Sequence, residues 1–283
     1  MNENATGGEI RVDEHPSDEM LRADRLPHIL CPGCGIGSAM HSLTEAITET
    51  DRDKHVCVSG IGCSGRVAGY VDVDSYHTTH GRAIPFAVGV AVQNPELCVT
   101  VVSGDGDLAA IGGNHLIHAA RKNVDMNIIC INNFNYGMTG GQAGPTTPIQ
   151  SKSTTTPLGV VDRPFNLPYL AHAVGAPFVS RWSTIHVRQL KQTMLRAMAK
   201  PGFCFIEVIS PCPTNYGKSN GIGSGLQEME RYRTQCVVDH DANLADIDID
   251  LSKDDSQIVV GDFVNVERPH FEPVMAHAAA PAV

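Results

Sequence analysis

Basic residues are in short supply: 21 Lys and Arg stand against 31 Asp and Glu, a formal net charge of −10. No basic stripe is available to displace counterions from a phosphate backbone, which excludes a general affinity for nucleic acid. Nor does the chain hold a run of about 18 consecutive apolar residues, the length a membrane-crossing helix needs. Its first 25 residues, MNENATGGEIRVDEHPSDEMLRADR, are polar and acidic, without the apolar segment of a signal peptide. The expectation is a cytoplasmic protein with no membrane partner. Internal repeats are also lacking, and only the two ends resemble low-complexity sequence.

At 283 residues and 42% hydrophobic, the chain suits one large α/β domain better than two ordinary ones. Residues 1–24 form an acidic arm without periodicity, read as a solvated tail or a partner-docking segment. From residue 37 to 50 the apolar positions Met40, Leu43, Ala46 and Ile47 recur at helical spacing. The apolar runs HVCVSG (55–60), LCVTVVSG (97–104), MNIICINN (126–133), PFVSRW (177–182) and FCFIEVIS (203–210) read as buried parallel strands. Residues 107–123 and 184–199 have the pattern of crossover helices between them. This alternation predicts a doubly wound, mostly parallel α/β sheet over residues 25–240. The acidic remainder, 241–283, reads as a solvated extension rather than one that wraps a partner.

The strand LCVTVVS runs into GDGDLA, which satisfies G-x-G-x-x-[GA] at Gly104, Gly106 and Ala109. A dinucleotide site also wants an acid about 20 residues further on, at the end of the next strand. Asp125 has the distance but stands at that strand's start, so the dinucleotide reading fails. The strand's end carries Asn132 and Asn133 instead. In a right-handed crossover the two parallel strands end on one edge, so Asp105 and Asn133 can face one crevice. A carboxylate and an amide oxygen there suit Mg²⁺ whose remaining positions are filled by phosphate oxygens. A bare diphosphate would be repelled by Asp105, whereas a metal-bridged one would be held by it.

GDGD followed one crossover later by NN resembles the thiamin diphosphate motif. With NNFNYGMTGGQ (132–142), HTTHGRAIPFAVGVA (77–91) and CPGCG (31–35), the chain resembles the β subunit of a 2-oxoacid:ferredoxin oxidoreductase over roughly residues 25–225. The resemblance implies a sheet of the thiamin-diphosphate-binding type, with Asp105, Asn133 and Asn135 holding Mg²⁺. It also implies that Ser64, Gly104, Gly106, Asp107, Gly137, Met138 and Thr139 line the cofactor, and that His80, Arg82 and Thr139 stand on the substrate side. His77 and His80 have the i, i+3 spacing of a helical metal pair but no third ligand, and a helix-start histidine bonded to backbone remains an alternative for His80.

Nine cysteines in a reducing compartment are small hydrophobes, metal ligands or redox thiols before they are disulfides. The resemblance implies that Cys31, Cys34, Cys63 and Cys212 hold a [4Fe–4S] cluster. Cys63 and Cys212 each follow a strand end in glycine- or proline-rich turns, within reach of the CxxC pair. Four thiolates suit a cluster or Zn²⁺, and the CxxC pair alone could form a dithiol. Three scattered ligand sources fit zinc less well than two CxxC pairs would. Cys57, Cys98, Cys130, Cys204 and Cys236 have no close cysteine partners and read as buried small hydrophobes.

The family's chemistry implies oxidative decarboxylation of a 2-oxoacid, with coenzyme A taking the acyl group and ferredoxin the electrons. An α subunit is implied to supply the carboxylate that activates thiamin and to complete the site, in an αβ or (αβ)₂ assembly, with further small subunits as an alternative. TGGQ, GPTTP, TTTPLG (154–159) and CPTNYGKSN (212–220) look more like the 2-oxoglutarate enzymes than the pyruvate ones, and branched-chain relatives share TGGQ. The rivals are a non-redox thiamin enzyme with structural zinc, and a non-catalytic assembly subunit.

Overall fold

The computed structural model describes residues 17–251 and 256–271. In chain order the elements are α1 (Ile36–Glu49), β1 (His55–Ser59), α2 (Val67–Tyr70), β2 (Asp74–His77), α3 (Ala83–Gln93), β3 (Cys98–Gly104), α4 (Gly113–Lys122), β4 (Met126–Asn132), and the short hairpin β5 (Asn135–Tyr136) and β6 (Gln142–Ala143). They continue with α5 (Leu167–Ala173), β7 (Phe178–Ser183), α6 (Val187–Ala199), β8 (Phe203–Ile209), α7 (Gly225–Gln235), β9 (Cys236–Val238) and β10 (Ile258–Asn265). Eight strands form one sheet in the order β2-β1-β3-β4-β8-β7-β10-β9, parallel throughout except where β10 runs antiparallel to β7.

The strands are apolar on both faces because helices cover both. Cys98, Val102, Ile129, Ile131, Cys204 and Ile206 pack toward α1 and α6, while Val99, Val101, Ile128, Phe203 and Phe205 pack toward α3, α4 and α5. The two-residue alternation of a strand thus splits each run between two cores. α1 buries Ile36, Met40, Leu43 and Ile47 against that first core, along one helical stripe. Cys57, Cys98, Cys130 and Cys204 are buried within the strands, and Cys236 packs against the first core, as expected for small hydrophobes.

Three expectations change. The single helix over 107–123 is broken into a π-helical turn (Gly106–Ile111) and α4, with Gly112–Gly113 at the junction and Asn123 ending α4 in the left-handed region. Such widened turns concentrate at functional sites. The segment after residue 240 is not a solvated extension where it is described: β10 completes the main sheet, and Leu244, Ile247, Ile249 and Leu251 are buried against both cores. Residues 17–24 of the N-terminal arm also pack down, with Leu21 bridging Val71 and the Arg22 guanidinium donating to the carbonyls of Val71 and Val73. The rest of that arm and residues 272–283 lie outside the described residues. Among the described residues, no helix is long and apolar enough to cross a membrane.

Candidate active site

β1, β2, β3 and β4 are parallel and end on one edge, and the turns after them line a cavity of about 170 Å³. All ten residues expected to line a cofactor do line it: Ser64, Gly104, Asp105, Gly106, Asp107, Asn133, Asn135, Gly137, Met138 and Thr139, joined by Cys63 and His80. Arg82 is not among them. It is exposed at the N-cap of α3, with its guanidinium 2.7 Å from Nε2 of His115. His77 and His80 do not share a helix: His77 ends β2 and bonds to Ser59 Oγ at 2.8 Å, while His80 lies in the following turn.

The two aspartates of GDGD have different surroundings. Asp107 is buried, and its carboxylate accepts from the backbone N–H of Ile61 (3.1 Å) and Gly81 (2.7 Å), from Ser103 Oγ (2.9 Å), and meets His80 Nδ1 at 2.5 Å. It ties the turn after β1 to the turn before α3. Nδ1 is directed at this carboxylate, which fixes the ring's orientation and leaves Nε2 on its far side.

Asp105 is equally buried but has no cationic partner among the described residues; Thr146 Oγ1 donates to Oδ2 at 2.5 Å. Burial pushes its carboxyl up to about 7 despite hydrogen bonds from Thr146 and the backbone N–H groups of Gly106 and Asp105. A carboxylate desolvated this far calls for a counter-cation. Asn133 lines the same cavity, buried and with no side-chain hydrogen bond. Asn135 Nδ2 donates to the Asn133 carbonyl at 2.7 Å, and Phe134 between them has φ 63. That left-handed residue turns the chain back so that both asparagines face the cavity. Oxygen donors of this kind, one charged and the rest amide or carbonyl, fit Mg²⁺.

Beside the asparagine turn lies sulfur. A Cβ placed on Gly137 would lie 3.6 Å from Sγ of both Cys63 and Cys212 and 3.5 Å from Oδ1 of Asn135. Cys212 Sγ also lies 3.8 Å from that Oδ1. The Cys34 thiol is pushed up to about 12, chiefly by burial, with smaller contributions from the nearby Cys212, Cys63 and Cys31. Yet among the described residues no three His, Cys, Asp or Glu side chains close around a single metal ion. A tetrahedral zinc site needs Zn–S of about 2.3 Å and hence sulfurs in near contact. The thiols of CxxC, Cys63 and Cys212 do not close on one point in this way.

Sequence reasoning did not find Thr146, which holds Asp105, nor Glu228, whose Oε2 accepts the Cys212 backbone N–H at 3.1 Å. It also passed over Arg181 and Glu207, a fully buried ion pair at 2.6 Å, although a lone charge inside each of PFVSRW and FCFIEVIS was the available signal.

Comparison with known proteins agrees with this geometry. Residues 60–208 match the thiamine pyrophosphate enzyme C-terminal TPP-binding domain. The chain is 47% identical over 261 residues to the 2-oxoglutarate synthase subunit KorB of Methanocaldococcus jannaschii, covering 91% of this chain and 94% of the relative. It is 45% identical over 262 residues to the KorB of Methanothermobacter marburgensis, covering 92% and 90%. A solved 2-oxoglutarate:ferredoxin oxidoreductase from Magnetococcus marinus, with 2-oxoglutarate, coenzyme A and succinyl-CoA bound, superposes with a TM-score of 0.80 at 30% identity, over 95% of this chain and 91% of that one. Strand-end aspartate and asparagines, the thiamine pyrophosphate domain and these relatives converge: the chain belongs to the 2-oxoglutarate synthase KorB family, the β subunits of thiamine-pyrophosphate-dependent 2-oxoacid:ferredoxin oxidoreductases.

Proposed function

We propose that this chain carries the diphosphate clamp and the first electron acceptor of an enzyme that converts 2-oxoglutarate, coenzyme A and oxidised ferredoxin to succinyl-CoA, CO₂ and reduced ferredoxin. The observation that carries the reading is Gly137: one wall of the cavity touches both the asparagine turn and two of the four grouped thiols. When bound, thiamin diphosphate supplies the nucleophile and the electron sink for decarboxylation, and a [4Fe–4S] cluster supplies a one-electron acceptor beside it.

The chain's own residues do the placing. Asp105, the Asn133 side chain and the Asn135 segment are the oxygen donors that would hold Mg²⁺, and through it the diphosphate. Gly106 has no room for a Cβ because the Tyr136 ring lies against it, so ring and turn together shape the cavity floor. His80 is oriented by Asp107 and stands on the substrate side. Thr139 is exposed at the rim, where its Oγ1 donates to Gln142 Oε1 at 2.8 Å and stiffens the β5–β6 hairpin. Cys31, Cys34, Cys63 and Cys212 would hold the cluster as thiolates, and burial, which raises the Cys34 and Cys63 thiols, makes its assembly release protons at those two positions.

An α subunit completes the site, and ferredoxin is the acceptor. The test is 2-oxoglutarate- and coenzyme A-dependent ferredoxin reduction by the αβ complex, supplied with thiamin diphosphate and Mg²⁺ under anaerobic conditions. Ferredoxin reduction is expected to require every component. Release of CO₂ without any ferredoxin reduction would contradict the reading.

A further inference from the structure

A buried polar row crosses the sheet behind the cavity. From Asp105 Oδ2 it passes to Thr146 Oγ1 (2.5 Å), which also lies 2.8 Å from Asn132 Oδ1. Asn132 Nδ2 donates to Glu207 Oε1 at 2.7 Å, and Arg181 Nε donates to Glu207 Oε2 at 2.6 Å. Arg181 Nη1 then donates to the carbonyls of Ile247 (2.8 Å), before β10, and of Val259 (3.5 Å), within it. Arg181 and Glu207 face each other in register on β7 and β8. Both are about 1% exposed, and neither lines the cavity.

A buried ion pair is poor evidence for stability, since well-packed apolar residues in its place are often as good or better. What this pair does have is direction. Glu207 accepts the Asn132 amide, so Asn132 must turn Oδ1 the other way, toward Thr146 and toward the Phe134 N–H, which donates to it at 3.2 Å. That last bond closes the turn in which Phe134 takes φ 63 and the two asparagines face the cavity. The Thr146 hydroxyl lies between two acceptors, Asn132 Oδ1 and Asp105 Oδ2, and has one proton to give, so where the amide oxygen sits governs its hold on the carboxylate. One amide orientation therefore positions both carriers of oxygen donors, and Glu207 with Arg181 sets that orientation.

We propose that Arg181 and Glu207 are positioning residues for the metal and diphosphate clamp, acting through Asn132 and Thr146, and that Arg181 makes the segment before β10 part of that support. This rests on the reading of Asp105 and Asn133 as the metal carriers. Outer partners of metal ligands of this kind alter metal affinity by about 10–100-fold when removed.

The experiment measures thiamin diphosphate binding to the αβ complex by equilibrium dialysis over a Mg²⁺ titration, together with thermal midpoint. Wild-type binding must depend on Mg²⁺; binding indifferent to Mg²⁺ would overturn the clamp reading itself and the proposal with it. Because Arg181→Met alone would strand a buried carboxylate and could fail to fold, the decisive variant is the charge-free pair Arg181→Met with Glu207→Leu. It is expected to melt near the wild type while requiring at least about tenfold more Mg²⁺, with Arg181→Lys recovering part of the affinity. Thr146→Val is expected to give a comparable loss, and adding it to the pair is expected to cost less than the product of the two. A charge-free pair that binds at wild-type Mg²⁺, or losses that simply multiply, would overturn the proposal while leaving the clamp assignment standing.

Discussion

The oxygen and sulfur sides of the site are built in opposite ways. The oxygen wall stands on strand ends: Asp105 follows β3, Asn133 follows β4, and from Asp105 a buried polar row runs through Thr146 and Asn132 to Glu207 and Arg181. The thiols beside it stand on three turns, residues 31–34, 63 and 212; only Cys63 lines the cavity, one thiol is exposed and the other three are half-buried. The oxygen wall is preorganised by the sheet and needs a cation only to neutralise Asp105. The sulfur side is four separate thiols until a metal group joins them, so it should depend on its occupant far more than the clamp does.

That contrast can be broken from either side. Asp105→Ala should reduce thiamin diphosphate retention below detection while iron and sulfide remain, because the carboxylate is the clamp's one charged donor; cofactor and metal analysis of the purified complex checks this. Cys212→Ala should do the reverse, removing iron and sulfide but leaving Mg²⁺-dependent thiamin diphosphate binding, and persistent iron would show that the four thiols are not one site. Gly106→Ala should be milder: a methyl there displaces Tyr136, a strain of about 1–3 kcal/mol that should appear as weaker cofactor affinity in the same dialysis assay. The smallest effect belongs to Cys204→Ala, a strand cysteine outside the site, expected to lower stability by about 1 kcal/mol in denaturant unfolding with iron and thiamin diphosphate contents unchanged.

How much of this was legible in the sequence follows from the same contrast. Asp105 and Asn133 could be paired from sequence alone, because strand, crossover and strand leave few places for two strand ends to go. The cysteine set could not be closed by spacing, since Cys63 and Cys212 are 149 positions apart; the family resemblance nominated it. The C-terminal segment was misread because its acidic composition conceals a period of two. In DIDIDL, Ile247, Ile249 and Leu251 point inward while the intervening aspartates stay out of the core. Thr146 was invisible for another reason: nothing local marks a threonine in a long loop as the partner of a carboxylate 41 residues earlier. Arg181 and Glu207 were visible as anomalies in apolar strands, and their pairing depended on β7 and β8 being neighbours, which chain order does not dictate.

The central claim is that a redox group and a thiamin clamp adjoin one another across Gly137 on this chain. Its most direct test is iron, zinc and acid-labile sulfide in the anaerobically purified αβ complex, compared between the wild type and Cys212→Ala so that groups on other subunits cancel. The account predicts a difference of about four iron and four sulfide per chain, with no zinc. Zinc without sulfide in the wild type, or no difference between the two, would place the electron acceptor elsewhere and leave the four thiols a structural role.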